Sequence, residues 1–327
     1  MASHEILSKA ASSYGFDVET LTWISHTTNE VYRFAKDAKP YILRLSAKPA
    51  EDANNIEAEV RWIRYLAENG VQASLPILTT DGRLTAICKD KEHCAIATAF
   101  EWAPGVTFNQ APQLWGPSLF RQWGALMGKM HRLTKSYTPW DSDRMRAGWS
   151  PAQIDNPYLR EGDYRILLDR LRSHERNLAN LPIDDRSYGL IHHDFHPYNF
   201  HIEQGSMTVF DFDDAIYGWF ALDIGIAAAH AVWWGSPEQD RHSKRAFAER
   251  FMDAFLTGYL KENALDPFWI QQIPVFMDYR NISSYFWWLS GWDGEEGRLS
   301  EVQKRAIAYA ASLIQQDLPF DGCDIRL

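Results

Sequence analysis

Cysteine is scarce. The 327-residue chain has three, Cys88, Cys94 and Cys323, an odd number with no histidine spacing that would make a zinc site. That excludes a disulfide framework and leaves free thiols of a reducing compartment as the expectation. Positive charge is also short: 33 Lys and Arg stand against 43 Asp and Glu, a net charge of −10. That net charge speaks against a nucleic-acid surface and mildly favours a neutral or cationic ligand; the acid is spread almost evenly, so its distribution says little beyond solubility. Long apolar runs are missing. The longest, Trp219 to Trp234, is broken by Asp223 and His230 and is too short to cross a bilayer comfortably. The opening MASHEILSKAASSYGF lacks the basic flank and apolar centre of a signal peptide. There is no internal repeat and no low-complexity segment. The expectation is a soluble, cytoplasmic protein with neither nucleic acid nor membrane as partner.

What is present is an ordinary globular composition, 46% hydrophobic, with a surplus of aromatics. Residues 18–46 read as strands, with Val31-Tyr-Arg-Phe and Tyr41-Ile-Leu-Arg-Leu flanking the turn AKDAKP. Ser25-His-Thr-Thr-Asn29 is a small polar loop. Residues 51–69 fit a helix, with Ile56, Val60, Ile63 and Leu66 near the helical period and Gly70 just beyond its end. Pro76-Ile-Leu and Leu84-Thr-Ala-Ile read as strands around the turn signal Asp81-Gly82. Ala95–Phe100 is a further strand, ending in a Pro-Gly hinge at 101–105. Beyond it the pattern turns helical, over Leu119–Leu133, Asp163–Leu181 and three or four helices at the end, one pair broken at Asp266-Pro267. Residues 136–160 look like an inserted or mobile segment. The fold class is therefore α+β. A small β-rich lobe (1–101) precedes a helical lobe (102–327) about twice its size.

The chemistry is concentrated between Leu190 and Gly225. Phe200-His-Ile and Met207-Thr-Val-Phe form a hairpin around Glu203-Gln-Gly-Ser206. Counting back from that turn puts Asn199 opposite Phe210 or Asp211, so pairing alone gathers an amide oxygen and a carboxylate. Such a pair suits Mg²⁺, a hard cation that shares its coordination with phosphates and water. Asp194, five residues before Asn199, can face the same space. Asp-x-x-x-x-Asn followed by a strand and Asp-Phe is the layout of kinase catalytic and metal-binding loops.

These residues carry a family resemblance. His192-His-Asp194-Phe-His-Pro-Tyr-Asn199, Phe210-Asp-Phe-Asp-Asp-Ala215 and Leu222-Asp-Ile-Gly225 resemble the aminoglycoside phosphotransferase and choline kinase family. Gly128-Lys-Met-His131 resembles the helix before the catalytic loop, Tyr41-Ile-Leu-Arg44 the nucleotide-lobe strand, and Phe100–Gly105 the hinge. The resemblance implies a bilobal protein-kinase-like fold and ATP-dependent phosphoryl transfer to a small-molecule hydroxyl, of amino alcohol, amino acid or aminoglycoside type. It implies Asp194 as the group that orients or deprotonates the acceptor, and Asn199 and Asp211 as Mg²⁺ ligands. Arg44 would contact the α/β-phosphates with Glu59 as its partner, and backbone near Glu101 would bind adenine. Three departures stand out. His193 replaces a glycine. Arg44 replaces a lysine. The phosphate loop has no glycine, so hydroxyls of Ser25, Thr27 or Thr28 would substitute.

Other residues have plainer readings. Asp213 is a second metal ligand, a substrate-ammonium contact or a solvated turn residue, and Asp214 is nearer the last. Asp223 reads as structural, capping or fixing the helix that follows. His192 reads as a loop anchor, and His196 and His201 as structural. Tyr285, Trp287, Trp288 and Trp292 form either an amine cage or core, with core expected for at least two. The alternatives are a Ser/Thr protein kinase of the bacterial stress-kinase type, a non-haem iron site using His192 and Asp194, and a non-catalytic nucleotide-binding regulator. Against the first, the interval from Asp211 to Asp223 is short and Ala-Pro-Glu is absent.

Overall fold

A computed structural model of the chain describes residues 1–139 and 146–327. The chain divides into two compact units. One comprises Met1–Ala111, Arg132–Ala147 and Tyr198–Ala215; the other comprises Pro112–His131, Gly148–Pro197 and Ile216–Leu327. The expected boundary cuts the chain once, after Glu101. Compactness cuts it several times, because the metal-motif hairpin packs with the β-rich unit although it lies a hundred residues downstream.

The first unit opens with α1 (His4–Tyr14), capped by Ser3 and closed by Gly15 in the left-handed region. Its amphipathic pattern, with Ile6, Ala10 and Tyr14 buried, went unread in the sequence. Strands β1 (Thr22–His26), β2 (Glu30–Lys36) and β3 (Lys39–Ser46) follow, then α2 (Ala53–Glu68), β4 (Thr85–Lys89) and β5 (Cys94–Glu101). They build an antiparallel sheet in the order β1-β2-β3-β5-β4. Strand alternation explains its two faces. Tyr32, Phe34, Leu43, Leu45 and Ala97 point to one side and pack with Ile6, Ala10 and Tyr14. Arg44, between Leu43 and Leu45, must then point to the other.

The β2–β3 turn uses Asp37 and Ala38, both at positive φ, as a tight two-residue hairpin demands. Pro76–Leu78 is not a strand of the sheet. It makes one bridge, Pro76 to Phe100, while Ile77 donates to the Ala99 carbonyl. Proline has no N–H to continue a ladder. The Asp81-Gly82 turn forms, held by the Thr79 hydroxyl, but joins this irregular segment to β4 and does not close a hairpin.

The second unit holds most of α3 (Pro117–Thr134), then α4 (Gly162–Leu178) and the short strand β6 (Tyr188–Ile191). After the hairpin β7 (Phe200–Glu203) and β8 (Ser206–Val209), which belongs to the first unit, the chain returns as β9 (Ile216–Trp219). Strand β9 pairs with β6. Four helices close it: α5 (Phe220–Gly235), α6 (Arg241–Glu262), α7 (Pro267–Trp288) and α8 (Glu301–Gln315). Asp266 caps α7 and Pro267 is its first residue.

Of the segment 136–160, residues 140–145 lie outside the described residues. Its remaining ends are tied down: Trp149 donates to the Tyr217 carbonyl at 2.7 Å, and Arg146 donates to the carbonyls of Asp213 and Ala215. Among the described residues no helix is long and apolar enough to cross a membrane. Cys88 and Cys323 are buried and all three thiols are free.

Candidate active site

The first unit carries the metal-motif hairpin. Gln204 and Gly205 both take positive φ, so a two-residue turn sets the register Phe200↔Val209. That register puts Asn199 opposite Phe210, whose amide donates to the Asn199 carbonyl at 3.0 Å. Asp211 follows at φ +65°, a left-handed value that aspartate tolerates better than most residues. The residue is exposed, yet protein crowds its carboxylate. This crowding and the adjacent Asp213 carboxylate push its pKa well above the ordinary carboxylate value.

A divalent cation is the partner that stabilises the charged form of two carboxylates crowded together in this way. Asn199, Asp211 and Asp213 supply oxygen donors of the hard type that Mg²⁺ takes. Asp213 has one oxygen engaged: it accepts from Asn29 Nδ2 at 2.7 Å, and Asn29 in turn accepts from the Ser46 hydroxyl. The polar loop is thereby tied to the metal motif through Asn29, a residue the sequence did not single out. Thr28 is exposed beside it.

Arg44 and Glu59 form a buried bidentate pair, at 2.8 and 3.0 Å, with Arg44 Nε on Thr98. Burial opposes the charge, but Glu59 outweighs it and raises the Arg44 pKa. The expected partnership is present, in fork-to-fork geometry that lysine could not make. Glu101 ends β5 at the hinge; its amide is spent on the Leu75 carbonyl, and His201 Nδ1 lies 2.9 Å from the next hinge carbonyl, Ala103.

The second unit carries the loop with Asp194. Asp223, in α5, accepts the amides of His192 and His193 at 3.1 and 2.8 Å, and His131 Nε2 lies 3.0 Å from its carboxylate. Burial raises its pKa, but the hydrogen bonds from His131 and the loop amides more than offset this and lower it. Asp223 is structural, as read, but it fixes the loop before Asp194 and caps no helix; Trp219 is the residue before α5. His192 folds under the loop, where its Nδ1 accepts from the Asp194 amide at 3.3 Å. His193 sits at φ +65°, which explains the glycine usual there. Burial and then the Arg280 charge lower its pKa to about 4, so it is neutral at pH 7.

Asp194 itself is held from both sides. Arg280 Nη2 donates to Oδ1 at 2.6 Å, and His196 Nε2 lies 3.2 Å from Oδ2. Burial pushes its carboxyl up, but the hydrogen bond from His196 and the Arg280 charge hold it well below the usual range. It is therefore ionised and able to accept a hydroxyl proton's hydrogen bond. Arg280 Nε also donates to His230 Nε2 at 3.2 Å.

Asp194, His196 and His230 bring their ligand atoms within 4.8 Å of one another, a spacing that could hold a metal ion. The guanidinium already spends itself on two of the three. It neutralises the cluster and argues against the iron reading, whose proposed His192 faces the backbone. Sequence reasoning missed Arg280 and His230 and underrated His196. The available signal was His230 inside the otherwise apolar run of α5 and Arg280 inside an aromatic-rich helix. Trp292 is buried and Tyr285 half-buried, whereas Trp287 and Trp288 are exposed.

The chain is similar to known proteins over most of its length. Residues 20–266 match the phosphotransferase enzyme family. The amicoumacin kinase of Bacillus subtilis (strain 168) is 32% identical over 284 residues, covering 86% of this chain and 83% of that protein. A structure of amicoumacin kinase hAmiN in complex with AMP-PNP, Ca²⁺ and Ami superposes with a TM-score of 0.85 at 30% identity. It covers 98% of this chain and 95% of its own. A microcompartment-associated aminopropanol kinase shares the fold, with a TM-score of 0.73 at 20% identity over 97% of this chain and 98% of that one. The chain belongs to the phosphotransferase enzyme family: it has that family's protein-kinase-like fold and is an ATP-dependent phosphotransferase acting on a small-molecule hydroxyl.

Proposed function

We propose that the phosphoryl acceptor is amicoumacin or a closely similar hydroxyl compound, with ATP as donor and Mg²⁺ as the metal. The observation that carries this reading is the likeness over nearly the whole chain to an amicoumacin kinase, at 30% identity and a TM-score of 0.85.

Asp194 orients the acceptor hydroxyl and takes its proton as the new P–O bond forms; its low pKa makes it a strong orienter and a modest base. That suits phosphoryl transfer, where positioning and charge neutralisation do most of the catalysis. His196 and Arg280 hold the carboxylate in place. Asn199 and Asp211 would hold Mg²⁺, with Asp213 beside them; the ion, when bound, neutralises charge on the nucleotide phosphates. Arg44, fixed by Glu59, faces the α/β-phosphates, Thr28 supplies a hydroxyl from the glycine-free loop, and the hinge backbone at Glu101 receives adenine. In this functional sense the lobes still divide near Glu101.

The test is an ATP-consumption and product-mass assay with amicoumacin, aminopropanol, spectinomycin and hygromycin B. Amicoumacin should be phosphorylated, and EDTA should stop the reaction. Asp194→Ala should lower turnover by about 10²–10⁴-fold while AMP-PNP still binds. Wild-type turnover in that variant would sink the role of Asp194. Phosphorylation of another compound and not amicoumacin would reassign the acceptor.

A further inference from the structure

Arg280 is built more elaborately than a salt-bridge partner needs to be. It lies on α7 with its side chain 22% exposed. Its Nε is pinned by His230 and its Nη2 by Asp194. Accepting from Nε requires the neutral His230 tautomer with its proton on Nδ1, and that buried atom has no partner among the described residues. The fold thus tolerates an unsatisfied donor to hold this guanidinium at one angle.

Two of the three guanidinium nitrogens are committed. Nη1 has no hydrogen-bond partner among the described residues. A planar fork that is pinned on one side presents its remaining donors in a fixed direction. Nη2, bonded to the same carbon as Nη1, is the nitrogen that donates to Asp194 Oδ1. A hydroxyl on Asp194 and an oxygen acceptor on Nη1 would then be neighbours.

We propose that Arg280 determines acceptor specificity: its Nη1 receives a carbonyl or carboxylate oxygen on the carbon next to the hydroxyl that Asp194 orients. The substrate unit is thus an α-hydroxy amide or α-hydroxy acid, and a simple amino alcohol is disfavoured because its ammonium would face a fixed guanidinium. This rests on Asp194 as the residue that orients the hydroxyl.

Lactamide, lactate and isopropanolamine share one hydroxyl-bearing skeleton and differ only in the neighbouring group. Their affinities for the full-length protein with AMP-PNP and Mg²⁺ are read by calorimetry, and their phosphorylation by ATP consumption. Wild type should bind lactamide or lactate at least roughly ten-fold more tightly than isopropanolamine, the effect of one charge-assisted hydrogen bond. Arg280→Gln should erase that order. Arg280→Lys keeps the charge but loses the fork, and should weaken lactamide several-fold while still rejecting the amine. Melting temperatures establish that both variants fold.

Preference for the amine in wild type, an unchanged order in Arg280→Gln, or no binding of any of the three overturns the proposal. So does a uniform fall in turnover with the affinity order intact, which would assign Arg280 to the phosphoryl group. Wild-type turnover by Asp194→Asn would instead overturn the role of Asp194, while the wild-type affinity order still reads Arg280.

Discussion

At the scale of single residues the site is held in conformations that cost energy. His193 and Asp211, on either side of the Asn199 hairpin in sequence, both take positive φ. Strained backbone of this kind persists where neighbours over-determine it and collects at functional sites. For His193 the neighbour is Asp223, which accepts its amide. A non-glycine residue there costs about 1–2 kcal/mol, whereas glycine loses about 0.5–1 kcal/mol more backbone entropy on folding. These nearly cancel. His193→Gly is therefore expected to stay within about 1 kcal/mol of wild type in denaturant unfolding and to keep its activity. A loss above about 2 kcal/mol would mean that the imidazole itself packs the loop.

At the scale of elements, two helices aim the Asp194 loop. Helix α5 is buried on all sides from Phe220 to Val232, so its polar residues there must find partners inside the protein. It has two, Asp223 and His230, seven residues or two turns apart and hence on one face. Asp223 takes the loop amides, and His230 takes Arg280 from α7. The helices approach closely at Gly225, where a methyl would meet Phe276 Cβ at 2.6 Å and the Met277 amide at 3.0 Å. Gly225→Ala should cost about 1–3 kcal/mol of stability by overpacking. It should also reduce turnover more than AMP-PNP affinity, because α7 carries Arg280. Unaltered melting and turnover would show that the helices separate freely.

At the scale of the whole molecule, acid resistance depends on buried carboxylates whose partners come from distant parts of the chain. Asp278 on α7 receives Arg170 Nη2 at 2.6 Å and the Phe320 amide at 2.7 Å, with His174 Nε2 2.8 Å away. Burial raises its pKa, but the hydrogen bond from His174 and the Arg170 charge more than offset this and lower it. A depressed folded-state pKa contributes stability above the unfolded value and loses it as pH falls through the folded value. Asp278→Asn should therefore destabilise by about 3 kcal/mol at neutral pH. The deficit should shrink below about pH 4, as unfolding at several pH values would reveal. A deficit independent of pH would mean that geometry and not charge holds the junction.

Most of the architecture was legible because it is local. Alternating apolar residues name strands, the 3.6-residue period names α2 to α4, and a Gln-Gly turn between short strands sets the register that faces Asn199 with Phe210. The motif text marked Asp194 and Asp211 because phosphoryl transfer needs oxygen ligands at those spacings. Only the tertiary structure supplied Arg280 and His230, eighty-six and thirty-six residues from Asp194 in sequence and without any pattern linking them to it. It also turned Asp223 from a residue that caps or fixes its own helix into the anchor of a loop, and showed that His196 touches the carboxylate. The reason is physical: hydrogen-bond register follows from neighbours in the chain, whereas the partner of a buried charge is chosen by which helices pack together.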